Sequence, residues 1–287
     1  MKTENGSELD RRALLKGATA GVVGAGVAAT ALAAAPEAAA QDKGALKDEG
    51  VLTETIRFQS GGDTISGFLA RPRAAARRGT VIIIPGIFGI TDQIKETTAQ
   101  VAQAGLNALA LDFYARKGGA PETNDFNVLR TFVAENAPDK QIVQDAQAAI
   151  DHLEKQPYAN DKFGITGFCM GGRITLLVAA ASPDIDAASP YYGPVRAAGP
   201  TNLAPIEMTE KIKAPVQGHY GATDRNPSPE DVRAFYAKLK ETNPHAEFHI
   251  YEGAGHAFQD WTRPSYNAEA ARTAWGRTVE FFQKHLK

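Results

Sequence analysis

The sequence contains a single cysteine, Cys169, and its neighbours suggest that its thiol does chemistry. One cysteine excludes an intramolecular disulfide, and a lone cysteine is often only a small buried hydrophobic residue. Cys169, however, lies in the run Gly167-Phe168-Cys169-Met170-Gly171-Gly172, between a strand-like segment and an apolar helical one. A thiolate presented on such a turn attacks carbonyl carbons, so the chemistry to consider is acyl transfer.

The spacing of the glycines around Cys169 has a physical cause. Strand, Gly-x-Cys-x-Gly-Gly and helix form the pattern of a nucleophile elbow, with cysteine in place of the usual serine. Residues two before and two after the nucleophile come very close together, so only very small side chains fit at Gly167 and Gly171. Gly172 lets the helix lie tight against the neighbouring strand. The helix N-terminus then favours the thiolate, which is the reactive form.

Two other interpretations of this turn are a structural cysteine and a phosphate-binding loop. The phosphate-binding loop is disfavoured because the run has no Gly-Lys-Ser/Thr ending and no dinucleotide fingerprint.

A nucleophile elbow predicts its partners in chain order, first an acid and then a histidine. Among six histidines, His256 follows a predicted strand within Gly-Ala-Gly-His-Ala-Phe and precedes the last helix, as a base on a loop should. His219, at the end of an earlier predicted strand, is the only serious rival. The others fall in helices, in a strand or in a turn and are expected to be surface or packing residues: His152, His245, His249 and His285.

Asp224 is the predicted acid, because it follows a strand within Gly-Ala-Thr-Asp and comes between Cys169 and His256. Such a carboxylate holds the imidazole in one tautomer and stabilises the imidazolium. Asp112 precedes the nucleophile, and Asp260 is too close to His256 in sequence to lie opposite it. A simple turn or helix-capping role for Asp224 is the alternative.

Two backbone N–H groups are predicted to form an oxyanion hole. Met170 follows the nucleophile at the start of the helix, and Ile87 follows Pro85-Gly86 at the end of an earlier strand. The sequence has no clustered histidine and carboxylate spacing typical of a zinc site, so we expect neither a metal nor a cofactor.

The segments around these residues alternate between strand and helix patterns. Short connections between them predict a mostly parallel sheet with helices on both faces, in a single α/β domain. Two strands, 53–58 and 64–70, flank a turn cluster and predict an antiparallel hairpin at the sheet edge. The further predicted strands are 80–84, 106–111, 162–166, 187–191, 214–220 and 246–251. The predicted helices are 92–104, 126–135, 139–156, 172–181, 229–242 and 268–287. The reacting groups should lie beyond the carboxyl ends of the strands.

The first forty residues have the order of a bacterial export signal. Arg11-Arg12 precede Leu14, Leu15 and Lys16, and an apolar, glycine-interrupted run continues to about residue 35. The paired arginines resemble a twin-arginine signal, and 38–40 offers a small-x-small cleavage site before Gln41. We therefore expect a signal peptide over 1–40, a short linker over 41–50 and the domain over 51–287. An ordinary N-terminal helix is the alternative, although the segment lacks a helical charge pattern.

Export by this route predicts a partner and a compartment. The twin-arginine translocation machinery would carry the folded protein, and the mature form would be periplasmic or secreted and not bound to a membrane. The formal net charge of −2 gives no general attraction to nucleic acid or acidic membranes.

With its motifs assembled, the chain resembles the dienelactone hydrolase family, the carboxymethylenebutenolidase group of α/β-hydrolases. The likeness spans roughly residues 50–287. Besides the elbow and the loops of Asp224 and His256, it includes Ile-Phe-Gly at 87–89 and Asp-Phe-Tyr-Ala-Arg at 112–116. The resemblance implies a triad of Cys169, His256 and Asp224 that hydrolyses a small ester or lactone through a thioester.

Three positions depart from well-known members of that family. Gly86 stands where they have a glutamate that engages the resting cysteine. Ala257 and Asp260 stand where members that bind the dienelactone carboxylate have serine and arginine. Arg263 is close enough in sequence to replace that arginine. The departures predict an ester or lactone substrate other than dienelactone itself.

Four side chains in loops near the expected crevice could form its walls: Phe88, Tyr114, Trp261 and Arg263. Two different functions remain as alternatives, a redox-sensitive periplasmic thiol and a ligand-binding member of the fold without catalysis.

Overall fold

The computed structural model describes residues 44–197 and 202–287 of the 287-residue chain. The predicted export signal therefore lies outside the described residues. Within the described ranges, strands and helices alternate along the chain. The strands are β1 (Val51–Ser60), β2 (Asp63–Pro72), β3 (Arg78–Ile84), β4 (Asn107–Asp112), β5 (Ala159–Phe168), β6 (Ile185–Tyr191), β7 (Val216–Gly221) and β8 (Ala246–Tyr251). The α-helices are α1 (Asp92–Gln103), α2 (Phe126–Asn136), α3 (Asp139–Leu153), α4 (Met170–Ala181), α5 (Pro229–Lys240) and α6 (Ala268–His285).

The strands form one sheet in the order β1-β2-β4-β3-β5-β6-β7-β8. Strands β1 and β2 form an antiparallel hairpin at one edge, and β2 also runs antiparallel to β4. All the remaining neighbours are parallel. The single α/β domain with a mostly parallel sheet and an antiparallel edge hairpin is thereby confirmed.

Strand β3 shows why the central strands are continuous apolar runs. Ile82 and Ile84 belong to one hydrophobic cluster, and Val81 and Ile83 belong to another on the opposite face. The first cluster receives side chains from α3, α4 and α5, and the second receives them from α1 and α6. Helices therefore cover both faces of the sheet, as predicted.

Side chains cap the starts of α1, α2, α5 and α6, but not the start of α4. Side chains of Thr91, Asp125, Ser228 and Asn267 accept backbone N–H bonds at the starts of α1, α2, α5 and α6. At the start of α4 the cap position is Cys169, whose side chain makes no capping bond. Its thiol is left for another partner.

The predicted strand before Cys169 ended two residues too early, and the predicted helix after it began two residues too late. Strand β5 continues to Phe168 and α4 begins at Met170, so only one residue separates strand from helix.

The N-terminal residues 44–50 contain a 3₁₀ turn at Ala45–Lys47, and Ala45 is fully buried against the domain. No helix in the described part of the chain is long and apolar enough to cross a membrane.

A buried ion pair fastens the helices around the elbow. Arg173 of α4 donates two hydrogen bonds of 2.6 Å to Asp139 at the start of α3. Both side chains are almost fully buried. The pair also holds the loop before β7. Arg173 donates to the carbonyl of Leu203, and the Leu203 N–H donates to Asp139.

Replacing Arg173 with methionine should reduce the free energy of unfolding by about 3–5 kcal/mol, since it leaves Asp139 buried without its counter-charge. The matched control is Arg77→Gln, because Arg77 makes a similar two-bond pair with Asp161 at the surface. That change should cost less than about 1 kcal/mol. Urea denaturation measures both values, and equal losses would contradict a special role for the buried pair.

Candidate active site

Cys169 lies in a strained backbone conformation at the junction of β5 and α4. Its φ and ψ angles are 57° and −119°, a region that non-glycine residues rarely adopt. The Cys169 N–H donates to the carbonyl of Tyr191 on the neighbouring strand at 3.1 Å. The sulfur is thereby held at the carboxyl edge of the sheet, at the N-terminus of α4.

The glycines of the turn have no room for a side chain. A Cβ on Gly171 would meet the carbonyl oxygen of Ile84 at 2.0 Å, and one on Gly167 would meet that of Gly171 at 2.4 Å. A Cβ on Gly172 would meet the Tyr191 carbonyl oxygen at 2.4 Å. The close approaches expected from the spacing are thus present in the structure.

The structure brings His256 and Asp224 together. Nδ1 of His256 lies 2.9 Å from Oδ2 of Asp224. The Asp224 side chain is almost fully buried, whereas 37% of the His256 side chain is exposed. The other Asp224 oxygen accepts from the N–H of Asn226 at 2.9 Å. The carboxylate is therefore fixed while the imidazole faces the cavity.

Backbone contacts join the loops that carry the acid and the histidine. The N–H and the hydroxyl of Thr223 both donate to the carbonyl of Ala254, at 2.9 Å each. Beyond His256, Ala257 has a φ of 60°, and the fully buried ring of Phe258 anchors the loop in the core. Residues 32 positions apart in the chain are thereby held at hydrogen-bond distance.

His256 also interacts with Cys169, and the environment shifts its pKa. Burial lowers the pKa of His256, but hydrogen bonds and electrostatic interactions with Asp224 and Cys169 outweigh that effect. The result is a pKa of about 10 for His256, above its ordinary 6.5. The imidazole thus favours its protonated form at neutral pH, between a carboxylate and the sulfur.

His219, the rival base, is not at this site. It is fully buried within β7, where Nδ1 lies 2.8 Å from the hydroxyl of Tyr251 and Nε2 lies 2.9 Å from that of Thr278. Burial lowers its pKa well below the ordinary value. Both ring nitrogens are occupied, so His219 is a packing residue with satisfied hydrogen bonds.

The two N–H groups expected to form an oxyanion hole lie at the ends of adjacent strands, β3 and β5. In residues 44–197 and 202–287, neither the Ile87 N–H nor the Met170 N–H donates to a backbone carbonyl outside the regular helices and strands. The Ile87 carbonyl accepts from the buried hydroxyl of Tyr114 at 2.8 Å, and Gly89 N–H donates to the Gly86 carbonyl. These bonds hold the 86–89 loop beside Cys169.

A cavity of about 440 Å³ opens onto Cys169 and His256. Of the expected wall residues, Phe88 and Arg263 line it, and Trp261 is not among the lining residues. Tyr114 lies behind the loop of Ile87 and does not line the cavity, since its ring is buried and its hydroxyl faces the main chain.

Two lining residues were not singled out from the sequence. Tyr192 follows β6 directly, and its ring is edge-on to the imidazole of His256 with centroids 5.2 Å apart. Its place at the carboxyl end of a strand was the available signal. Phe126, the first residue of both the predicted helix 126–135 and the observed α2, is half exposed at the cavity wall.

Gly86 also lines the cavity and leaves space beside the thiol. A Cβ built on Gly86 would lie 3.7 Å from Cβ of Cys169, which is an ordinary contact. No acidic side chain at this position competes with His256 for the sulfur. Among the described residues no group of three or more histidine, cysteine or acidic side chains could hold a metal ion.

The chain is similar to proteins of one known family. The model of the "Dienelactone hydrolase family" matches residues 65–286. A Yersinia pestis protein named as a carboxymethylenebutenolidase is 31% identical over 245 residues, which are 84% of this chain and 91% of that one. A Bradyrhizobium protein named as a 2-oxo-3-(5-oxofuran-2-ylidene)propanoate lactonase is 31% identical, over 82% of this chain and 97% of its own.

A solved structure supports the same assignment. The crystal structure of a Klebsiella pneumoniae protein described as a dienelactone hydrolase superposes with a TM-score of 0.77 at 30% identity, covering 82% of this chain and 99% of that one. The curated relatives are named as hydrolases of lactone or ester bonds. The chain belongs to the dienelactone hydrolase family and is a carboxylic ester hydrolase.

Proposed function

We propose that the protein hydrolyses a small-molecule ester or lactone through a thioester on Cys169, with His256 as general base and acid and Asp224 orienting it. The observation that carries the proposal is the shared imidazole. Nδ1 of the His256 ring lies 2.9 Å from Oδ2 of Asp224, and the same ring also interacts with Cys169.

Acylation begins with the sulfur of Cys169, which is paired with the protonated imidazole of His256. The sulfur attacks the carbonyl carbon, and the N–H groups of Ile87 and Met170 stabilise the resulting oxyanion. Each such donor contributes on the order of 3 kcal/mol to transition-state stabilisation. His256 then protonates the leaving alkoxide as the C–O bond breaks and the thioester forms.

Deacylation uses the same groups in the reverse order. His256, now neutral, takes a proton from water, and the hydroxide attacks the thioester carbon. Collapse of the second tetrahedral intermediate releases the carboxylic acid and the sulfur of Cys169. Thiolates leave more readily than amide nitrogens, so an activated ester or lactone suits this site and a peptide does not.

The names of the curated relatives support a small-molecule substrate, because one is called a carboxymethylenebutenolidase and another a lactonase. The cavity of about 440 Å³ is of the size that binds small molecules in other proteins, and it is too small for a folded macromolecule. The Bradyrhizobium relative is named for a lactone that carries a carboxylate. For this chain we propose the reaction class without that particular substrate.

Replacing each member of the proposed triad should remove turnover of short-chain aryl esters. Cys169→Ala should abolish it, and Asp224→Asn should reduce kcat by about 10²–10⁴-fold, because the amide no longer holds the imidazolium. The matched control is Asp161→Asn, a surface carboxylate that pairs with Arg77 near the start of β5, at the opposite end of the strand from Cys169, and should retain turnover. Wild-type turnover in Cys169→Ala would rule out the thioester mechanism. No turnover of any ester by the wild type would instead favour the redox and ligand-binding alternatives.

The protonation of His256 should depend on the cysteine. Because hydrogen bonding and charge from Cys169 raise the pKa of His256, Cys169→Ala should lower it from about 10. Nitrogen NMR of the imidazole between pH 5 and 11 measures this shift. An unchanged titration midpoint in the variant would contradict the pairing of sulfur and imidazolium.

The same shift predicts a pH dependence. Since the folded pKa lies above the ordinary 6.5, the stabilisation from this pairing is complete below pH 6.5 and is lost as pH rises through about 10. Turnover that requires the imidazolium should fall over the same alkaline range.

We also propose that residues 1–40 direct export by the twin-arginine route, on the strength of Arg11-Arg12 and the apolar run that follows. The mature protein is then periplasmic or secreted. Intact-mass measurement of the exported form should give a chain starting near Gln41, and an uncleaved cytoplasmic product would contradict export. Arg11→Lys combined with Arg12→Lys is the control that should block it.

A further inference from the structure

The cavity beside Cys169 contains one charged pair in addition to the proposed triad. Arg263 and Asp260 both line it, and Nε of Arg263 lies 3.4 Å from Oδ2 of Asp260. The guanidinium also stacks over the ring of Phe88, with its central carbon 4.0 Å from the ring centroid. The cation therefore faces an aromatic ring and a carboxylate of its own chain.

The carboxylate is held in place independently of the arginine. The second oxygen of Asp260, Oδ1, accepts from the N–H and the hydroxyl of Thr262, at 2.9 Å and 2.6 Å. The main chain closes the turn, since Asp260 N–H donates to the Ala257 carbonyl and Arg263 N–H donates to the Asp260 carbonyl. One tight turn thus presents a matched negative and positive charge to the cavity.

Outside this pair and the proposed triad, no described residue that lines the cavity carries a charge. Six of the lining side chains are large and apolar or aromatic: Ile87, Phe88, Ile94, Phe126, Phe168 and Tyr192. The uncharged polar ones include the hydroxyl groups of Thr91, Thr262 and Ser265. The amide of Gln93 is already engaged, because it donates to Thr97 and to Gln259. A substrate carboxylate entering this space would lose water and meet an arginine whose charge is already compensated.

We infer that Asp260 sets the substrate class by neutralising Arg263, so that the enzyme prefers esters and lactones with an uncharged acyl part over carboxylated ones. This inference rests on the proposed function for the identity of the reacting bond. It assigns a specificity role to the turn 260–263, which presents a carboxylate and a guanidinium together to the cavity.

The first test compares two esters of the same phenol, a butyrate and a monosuccinate. In the wild type, the ratio of kcat/KM values should favour the butyrate by about tenfold or more, because the pocket does not compensate the desolvation of the carboxylate. Asp260→Asn keeps an acceptor for Thr262 but releases the guanidinium. That change should shift the ratio toward the monosuccinate by roughly fivefold, the upper end for a partly exposed ion pair.

A double-mutant cycle separates this effect from a general change in charge. In the Arg263→Gln background, Asp260→Asn should shift the ratio by less than about twofold, since there is no guanidinium to release. Measurements at 0.15 M salt, where the Debye length is about 8 Å, suppress long-range attraction. An equal shift in both backgrounds, or no shift in either, would overturn the inference.

Alkylation of Cys169 provides a readout that does not need ester hydrolysis. Iodoacetamide and iodoacetate are nearly isosteric, and each forms an S–C bond with the single cysteine and releases iodide. Asp260→Asn should raise the iodoacetate rate relative to the iodoacetamide rate by roughly fivefold, and only when Arg263 is present.

The two readouts distinguish the failures of the two proposals. A charge-dependent alkylation cycle without turnover of any ester would support the charge pairing and contradict the proposed function. Turnover through Cys169 would support the proposed function. If Asp260→Asn changed neither the ratio for the two esters nor the ratio for the two alkylating agents, the inference would be overturned.

Discussion

The site depends on one strained turn between β5 and α4. Cys169 tolerates a φ of 57° because its N–H bonds to Tyr191 and because three glycines around it leave no side chain to clash. Adding a Cβ at Gly171 would drive it into the end of β3. Strain at a functional residue persists only when its surroundings over-determine it, and here two neighbouring strands and a tightly packed helix do so.

The partners of Cys169 reach it because adjacent parallel strands end together. Strands β7 and β8 pair in register up to Gly221 and Tyr251, so the loops that follow them emerge side by side. Asp224 lies in the first loop and His256 in the second, and Thr223 ties them by two bonds to one carbonyl. A Cβ on Gly221 would meet the Ala254 carbonyl oxygen at 2.5 Å, so the glycine permits this approach.

Local patterns predicted the alternation of strands and helices and the elbow, because periodicity and glycine spacing report directly on backbone geometry. The competition between the two histidines shows where such patterns end. His219 lies within the strand both in the prediction, 214–220, and in the structure, as part of β7. What separates it from His256 is that its ring is fully buried and bonded to the hydroxyls of Tyr251 and Thr278, a tertiary contact that no local pattern reports.

The walls of the cavity could not be predicted in the same way. Tyr114 turns its hydroxyl to the Ile87 carbonyl, and Tyr192 packs against His256 and Phe258, through contacts between segments far apart in sequence. The pairing of Asp260 with Arg263 is local, yet the guanidinium of Arg263 also stacks over Phe88, which lies far away in the chain. Side-chain direction in loops follows from such tertiary contacts and not from residue type alone.

The central claim is a covalent thioester on Cys169, and rapid acid quenching followed by peptide mass spectrometry tests it most directly. With an activated aryl ester in excess, deacylation limits turnover and the acylated enzyme accumulates. The account predicts an adduct with the mass of the acyl group on the peptide that contains Cys169, removable by hydroxylamine. Steady-state turnover with no adduct, or with the acyl group on another residue, would contradict it.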